Sequence, residues 1–199
     1  MIKKYLSLFI CVIFLCGCEP RIANRDSQGT TVVCFGDSLT EGFGAEKGKD
    51  YPSVLRSKVN LPVINTGISG NTTGDALARL ENDVSAHDPR IVIITLGAND
   101  FFRKIPKEET LKNMEAIIDR IHGKGAMVVW ATVQTGLLGD DYQEDFKKLA
   151  HQKHIVLIPH ILKGILFDPR YKYDQIHPNG KGYEIMAERI YQRVKPLLK

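Results

Sequence analysis

Five short runs of apolar residues, many of them β-branched, recur along the chain, and longer segments with apolar residues at helical spacing lie between them. Short apolar runs of this kind indicate buried strands, whereas the longer periodic segments indicate amphipathic helices. The predicted strands cover residues 30–35, 61–65, 91–96, 126–133 and 154–158. The predicted helices cover residues 51–59, 74–85, 107–122, 140–152 and 180–198.

Strand and helix therefore alternate, and the connections between them are short. This alternation is typical of a parallel sheet that is covered by helices on both faces. We predict an α/β fold with three layers, α/β/α, around a five-stranded parallel sheet. Thr73 is the expected N-cap of the second helix. In such sheets the loops at the carboxyl ends of the strands build the functional site, so reactive side chains are expected on these loops.

The first 18 residues differ from the rest of the chain. Lys3 and Lys4 precede an apolar run of about 11 residues, which is shorter than the roughly 20 that a membrane-spanning helix needs. We therefore predict that residues 1–18 are an export signal. Residues 15–18, Leu-Cys-Gly-Cys, resemble the lipobox of bacterial lipoproteins, with Cys16 where Ala, Ser or Thr is more usual. The resemblance implies acylation of Cys18 and anchoring to a membrane of the bacterial envelope; an ordinary secretory signal is the alternative.

The remaining chain has the length of one domain. Residues 19–29 are polar and aperiodic, which predicts a tether, and residues 30–199 form the predicted domain. Cys34 is the one cysteine within that domain, so an internal disulfide is excluded there, and its apolar surroundings indicate a core position. The net charge of +4 includes the signal lysines, and the other basic residues are interspersed with acidic ones. This distribution gives no support for a nucleic-acid partner, and no sequence feature implies a protein partner.

A serine and a histidine stand out among the polar loop residues. Ser38 lies where the chain leaves the first strand, in Gly-Asp-Ser-Leu-Thr. A serine hydroxyl becomes a strong nucleophile when a base takes its proton and a third group orients that base. His177 follows Asp174 by three residues in the loop before the last helix, so one turn can carry both groups. The other five histidines lie near helix ends or beside the fifth strand, where surface or structural roles are expected.

Two further loops carry candidate donors for a negatively charged oxygen. Gly70 follows the second strand, and glycine lets a backbone N–H approach a ligand closely. Asn99 follows the third strand, and its side-chain amide can donate. Taken separately, the residues of either loop could instead serve only to form an ordinary turn.

Together these segments resemble the four sequence blocks of the SGNH, or GDSL, hydrolase superfamily, in the same order: residues 36–38, Gly70, residues 97–100 and residues 174–178. The resemblance covers nearly the whole predicted domain, and it is strongest to the bacterial arylesterase, thioesterase and lysophospholipase group. It implies a flavodoxin-like fold and hydrolysis of carboxylic esters or thioesters through an acyl-serine. Ser38 would be the nucleophile, His177 the base and Asp174 its orienter. The N–H groups of Ser38 and Gly70 and the Asn99 side chain would form the oxyanion hole.

The resemblance also sets limits. This chemistry requires no metal and no organic cofactor, and His151 and His154, a conceivable metal pair, lack a nearby third ligand. Residues 134–140 depart from the Pro and Asn-Tyr-Gly motif of the group, so a chain-length preference does not follow. Phe101 and Phe102 could line an acyl groove or pack in a satellite core. Two alternative functions remain open: an esterase that removes O-acetyl groups from envelope glycans, and a surface lipoprotein that only binds acylated ligands.

Overall fold

The computed structural model describes residues 21–133 and 142–199; the predicted signal and Cys18 lie outside these ranges. Within them the strands are β1 (Thr31–Gly36), β2 (Val63–Gly67), β3 (Pro89–Thr95), β4 (Met127–Ala131) and β5 (Val156–Ile158). The α-helices are α1 (Ser38–Glu41), α2 (Tyr51–Arg56), α3 (Thr73–Asp83), α4 (Ala98–Phe102), α5 (Lys107–Gly123), α6 (Tyr142–Gln152) and α7 (Gly180–Val194). No helix of the described segments is both long and apolar enough to cross a membrane.

All strand pairs are parallel, and the order across the sheet is β2-β1-β3-β4-β5. The predicted α/β class and five-stranded parallel sheet are therefore confirmed. In this order β1 is paired on both sides, with Gly36 opposite Gly67 of β2 and Thr95 of β3. The loops after β1, β2 and β3 consequently leave the same edge of the sheet side by side.

Two apolar clusters cover the two faces of the sheet and make it the middle of three layers. Val32 and Cys34 of β1 belong to one cluster with residues of α2 and α7. Val33 and Phe35 alternate with them and belong to the other cluster with residues of α3, α5 and α6. This alternation follows from the period of two along a strand. Cys34 is fully buried, as expected for a core position.

The described part of the expected tether lies against the domain. Ile22 packs on the cluster that includes α7, and the side-chain amide of Asn24 donates to the carbonyls of His122 and Ala126, both at 3.0 Å. The backbone N–H of Ala23 donates to the His154 carbonyl at 2.9 Å. Residues 22–24, which fall within the tether predicted over residues 19–29, thus form hydrogen bonds and apolar contacts with the folded unit.

Several element boundaries differ from the predicted ones for local reasons. Thr72, and not Thr73, caps α3, and its hydroxyl and the Asp75 carboxylate form a capping box. β5 begins two residues later than predicted because His154 has a φ of 52°, which a strand cannot accommodate. Helix α7 ends at Val194 and a 3₁₀ turn follows, since Pro196 lacks an N–H for a continued α-helix. Helices α1 and α4 are too short for periodicity to detect.

Candidate active site

The turn from β1 into α1 places Ser38 at the sheet edge. The Asp37 side chain caps α1 by accepting the backbone N–H of Leu39 at 3.0 Å, and Ser38 is the first helical residue. Glycines permit this close approach: a Cβ on Gly36 would overlap the hydroxyls of Thr40 and Thr95, and a Cβ on Gly67 would overlap the backbone of α1. Helix α1 is therefore packed tightly against the neighbouring segments, and this packing restricts the position of Ser38.

His177 lies between Ser38 and Asp174. Its Nε2 atom is 3.0 Å from the Oγ atom of Ser38, and its Nδ1 atom is 2.8 Å from Oδ2 and 3.1 Å from Oδ1 of Asp174. A neutral imidazole that donates Nδ1–H to the carboxylate presents an acceptor at Nε2 to the serine hydroxyl. The structure thus brings the three predicted residues into one hydrogen-bonded chain.

Asp174 and His177 share a compact turn. Lys172 and Pro178 form an antiparallel bridge at its base. One carboxylate oxygen of Asp174 accepts the backbone N–H groups of Ile176 and His177, both at 2.8 Å. Burial acts to raise the pKa of Asp174, but these N–H groups and the His177 side chain favour the ionised form more strongly, so the pKa is lowered. The Asp174 carboxylate therefore stays ionised beside the imidazole of His177.

Two aromatic residues that the sequence did not single out support the imidazole. The ring of Phe43 packs on that of His177 with centroids 4.7 Å apart. Tyr183 of α7 is buried, and its hydroxyl donates to the Phe43 carbonyl at 2.9 Å. Burial raises the pKa of Tyr183, so the hydroxyl keeps its proton as a donor. Neither residue belongs to a recognisable motif, and the contact with His177 depends on long-range packing.

The three predicted oxyanion donors lie on adjacent loops. Gly70 has a φ of 78°, a conformation that favours glycine. Within the described ranges, the backbone N–H groups of Ser38 and Gly70 form no hydrogen bond. The amide nitrogen of Asn99 donates to the Asn71 carbonyl at 2.9 Å, and its second contact, to Asp37, is a long 3.4 Å. Such a long contact is weak and leaves this N–H available to a stronger acceptor.

Asp37 and Asp100 are buried carboxyl groups that hold the surrounding loops. Asp100 accepts the backbone N–H of Thr73 at 2.9 Å and its hydroxyl at 2.5 Å, which fixes α4 against the start of α3. Burial raises the pKa of Asp37 to about 7, with the negative charge of Asp100 acting in the same direction and the N–H of Leu39 opposing it. Asp37 is therefore a buried acid that titrates near neutral pH.

A cavity of about 110 Å³ opens beside Ser38. Its walls are mainly apolar, and the polar residues that line it are Asp37, Ser38, Asn99 and His177. The apolar lining residues are Leu39, Ala98, Phe102, Val133, Leu162, Leu166 and Ile176. Phe102 is therefore a wall residue, whereas Phe101 packs edge-on against Phe102 and Tyr142. Residues 134–140, whose sequence departs from the superfamily pattern, lie outside the described part of the chain.

Apolar side chains are also exposed around this opening. Phe43 and Tyr173 pack edge-on beyond His177, with ring centroids 5.9 Å apart. Their exposed fractions are 46% and 62%, and the cavity residues Phe102 and Ile176 are 53% and 48% exposed. Exposed apolar side chains grouped beside a cavity are typical of a binding surface. We call these four residues the apolar rim.

Other groups with reactive potential lie away from this site. Burial raises the pKa of Cys34 to about 12, so its thiol is a core group without nucleophilic character. Among the residues that the structure describes, no three His, Cys, Asp or Glu side chains are grouped so as to hold a metal ion. Burial also lowers the pKa of His122, which favours its neutral form.

Comparison with known proteins agrees with this geometry. The profile of the GDSL-like Lipase/Acylhydrolase family matches residues 34–185. The chain is 29% identical to an arylesterase of Vibrio mimicus over 200 residues, covering 95% of this chain and 98% of the relative. It is 28% identical to thioesterase 1/protease 1/lysophospholipase L1 of Escherichia coli (strain K12), covering 87% and 88% of the two chains.

A crystal structure of TesA superposes with a TM-score of 0.78 at 27% sequence identity, covering 84% of this chain and 99% of that one. The family match spans the strands and loops that carry Ser38, Gly70, Asn99, Asp174 and His177. The chain therefore belongs to the GDSL-like lipase/acylhydrolase family and is a carboxylic ester hydrolase.

Proposed function

We propose that Ser38, His177 and Asp174 form a catalytic triad that hydrolyses acyl esters and acyl thioesters. The observation that carries this proposal is the unbroken chain of contacts from Ser38 Oγ through both imidazole nitrogens to the Asp174 carboxylate. A serine hydroxyl with an oriented base at hydrogen-bond distance is the arrangement that acyl transfer requires. The arylesterase and thioesterase names of the relatives support the same reaction class.

The reaction proceeds in two halves. His177 Nε2 takes the Ser38 proton while Oγ bonds to the acyl carbon, and the resulting imidazolium gives this proton to the leaving alcohol or thiol as its bond to the acyl carbon breaks. Water then attacks the acyl-serine, again losing a proton to His177, which returns it to Ser38 Oγ as the acid departs. Asp174 remains ionised and stabilises the imidazolium in both halves.

The oxyanion hole consists of the Ser38 and Gly70 N–H groups and the Asn99 amide. Each tetrahedral intermediate places a negative charge on the former carbonyl oxygen. Fixed donors directed at that charge lower the barrier because they need no reorganisation during the reaction. Asn99 suits this role because one N–H is held by the Asn71 carbonyl while the other makes only the long contact with Asp37.

The acyl group occupies the apolar cavity beside Ser38. A dry apolar cavity of about 150 Å³ holds a molecule the size of benzene, so a cavity of about 110 Å³ takes a short acyl segment. A longer chain would continue over the apolar rim. The mainly apolar walls favour acyl chains longer than acetyl over the O-acetyl groups of glycans.

This proposal is tested by hydrolysis of nitrophenyl esters from acetyl to palmitoyl, and of one acyl thioester. We expect Ser38→Ala to lower kcat by at least about 10³-fold on every substrate that the wild type cleaves. Ser57→Ala, an exposed serine at the end of α2, is the matched control and retains activity. Turnover in Ser38→Ala at a rate close to that of the wild type would overturn the triad. A sharp optimum at acetyl would favour the O-acetylesterase, and a lack of Ser38-dependent turnover on all substrates would favour a binding lipoprotein.

We further propose that the protein is exported and anchored to a membrane of the cell envelope through a lipid on Cys18. The Leu-Cys-Gly-Cys run supports this location, and the apolar rim would then face amphiphilic substrates such as lysophospholipids at the membrane surface. Metabolic labelling with a fatty-acid probe tests the anchor. Label that persists in Cys18→Ala would exclude Cys18 as its site.

A further inference from the structure

Arg79 of α3 connects the separate chain segments that carry the proposed oxyanion donors. Its Nη2 atom donates to the Gly36 carbonyl at 2.8 Å, two residues before Ser38. Its Nη1 atom donates to the Thr66 carbonyl at 2.7 Å, near the end of β2. Its Nε atom donates to the Asn71 side chain at 2.6 Å, directly after Gly70. One guanidinium group thus holds the ends of β1 and β2 and the loop that follows β2.

The third donor, Asn99, is reached through Asn71. The backbone carbonyl of Asn71 accepts the Asn99 amide at 2.9 Å, while its side-chain oxygen accepts Arg79 Nε. A displacement of Asn71 therefore displaces both the Asn99 amide and the neighbouring N–H of Gly70. Arg79 itself is part-buried, and its guanidinium contacts two backbone carbonyls, the side chains of Asn71 and Asp83, and the ring of Phe35.

The chemistry of arginine suits this position. A planar guanidinium presents five N–H donors in a fixed arrangement, whereas a lysine ammonium is a single point with a flexible stem. Arg79 directs its donors to four acceptors that belong to different segments. The ion pair with Asp83, one turn along α3, offsets the cost of enclosing its charge. The side chain is only 15% exposed, so water cannot readily replace these contacts.

We infer that Arg79 is a positioning residue of the oxyanion hole, which acts through Gly36, Thr66 and Asn71 on Ser38, Gly70 and Asn99. This inference rests on the proposed function, because it assumes that these three groups stabilise the transition state. Arg79 does not touch the substrate. Its loss leaves the donors present but misdirected, so the chemical step is weakened more than substrate binding is.

The test compares Arg79→Lys with Arg56→Lys. Arg56 also donates to a carbonyl of β2, that of Val63, but at the opposite end of the strand. We expect Arg79→Lys to lower kcat about 10- to 100-fold with little change in KM, since displacing a catalytic group by roughly 1 Å costs on the order of 10². Arg56→Lys keeps a kcat close to that of the wild type. Circular dichroism and thermal unfolding establish that both variants are folded.

A double-mutant cycle with Asn99→Ala separates positioning from a general loss of structure. Because Asn99 is one of the three donors on which Arg79 acts, the loss of kcat caused by Arg79→Lys becomes smaller when Asn99 is already alanine, and the part that remains reflects Ser38 and Gly70. Multiplicative losses in the double variant, or a folded Arg79→Lys with wild-type kcat, would overturn the inference. Failure of the proposed function itself is seen separately, as turnover in Ser38→Ala at a rate close to that of the wild type.

Discussion

His177 Nε2 lies 3.0 Å from Ser38 Oγ, although the two residues are 139 positions apart in the chain. The parallel sheet brings them together: Ser38 follows β1, which lies between β2 and β3, and His177 lies on the turn that precedes α7, which packs on the same face as α2. The contact therefore depends on the packing of α7, including the bond between Tyr183 and Phe43.

Replacement of the orienting carboxylate tests its role directly. In Asp174→Asn the amide favours the wrong imidazole tautomer, so we expect kcat to fall about 10³- to 10⁴-fold. The measurement is steady-state hydrolysis of a nitrophenyl ester. Asp168→Asn is the matched control, because Asp168 lies in the same loop and pairs with Arg170 at the surface. A comparable loss in both variants would show that the loop, and not the triad, was disturbed.

The Asn99 amide is expected to act mainly in the transition state. Asn99→Ala removes one oxyanion donor, so kcat should fall about 10²- to 10³-fold while KM changes much less. Asn113→Ala, which removes a side-chain bond to Thr73 from α5, is the control and should retain its kcat. A rise in KM at constant kcat would assign Asn99 to ground-state binding instead.

The buried acid Asp37 makes stability depend on pH. Its pKa is about 7 in the folded protein against an ordinary value of 3.8. Between these values the folded state binds a proton that the unfolded chain has released, so the contribution of Asp37 to the free energy of unfolding falls as pH rises from about 4 to 7. Asp37→Asn can still cap α1 and should remove this loss. Denaturant unfolding at several pH values measures it; equal pH dependence in both proteins would refute the assignment.

The close approach of β2 to α1 leaves no space at Gly67. An added Cβ would overlap the backbone of Thr40 and Glu41. We expect Gly67→Ala to destabilise the fold by about 3 kcal/mol, which lowers the melting temperature by roughly 6–12 °C, and to lower kcat by moving Ser38. Gly123→Ala, with no atom within 4 Å of the added Cβ, should be neutral or stabilising. Thermal unfolding of both variants decides the question; equal melting temperatures would count against this packing.

The sequence was most informative about features that are determined by residues close together in the chain. Apolar runs identified all five strands because the parallel sheet is buried on both faces. The motif residues Ser38, Asp174 and His177 can be predicted from the sequence, because the superfamily blocks that contain them have a recognisable order along the chain. Strand order, by contrast, leaves no periodic signal, and the observed order agrees with the flavodoxin-like fold that only the resemblance implies.

The supporting residues could not be predicted for the same reason. Arg79 occupies an ordinary helical position, and nothing near it in sequence reveals that its acceptors lie on β1, β2 and the following loop. Phe43 and Tyr183 act on His177 through contacts between distant segments. Within the predicted tether, the side-chain amide of Asn24 donates to two backbone carbonyls of distant segments, and composition alone does not reveal these contacts.

The turn closed by Lys172 and Pro178 carries both the imidazole and its carboxylate. Whatever moves this turn moves the two groups as one body, so their mutual alignment survives while the distance to Ser38 changes. Of the contacts among the three groups, only the one between His177 and Ser38 therefore varies. A low-field proton resonance from the His177–Asp174 bond would accordingly persist in an enzyme whose serine is out of reach, and such a signal would report an assembled base without reporting a competent nucleophile.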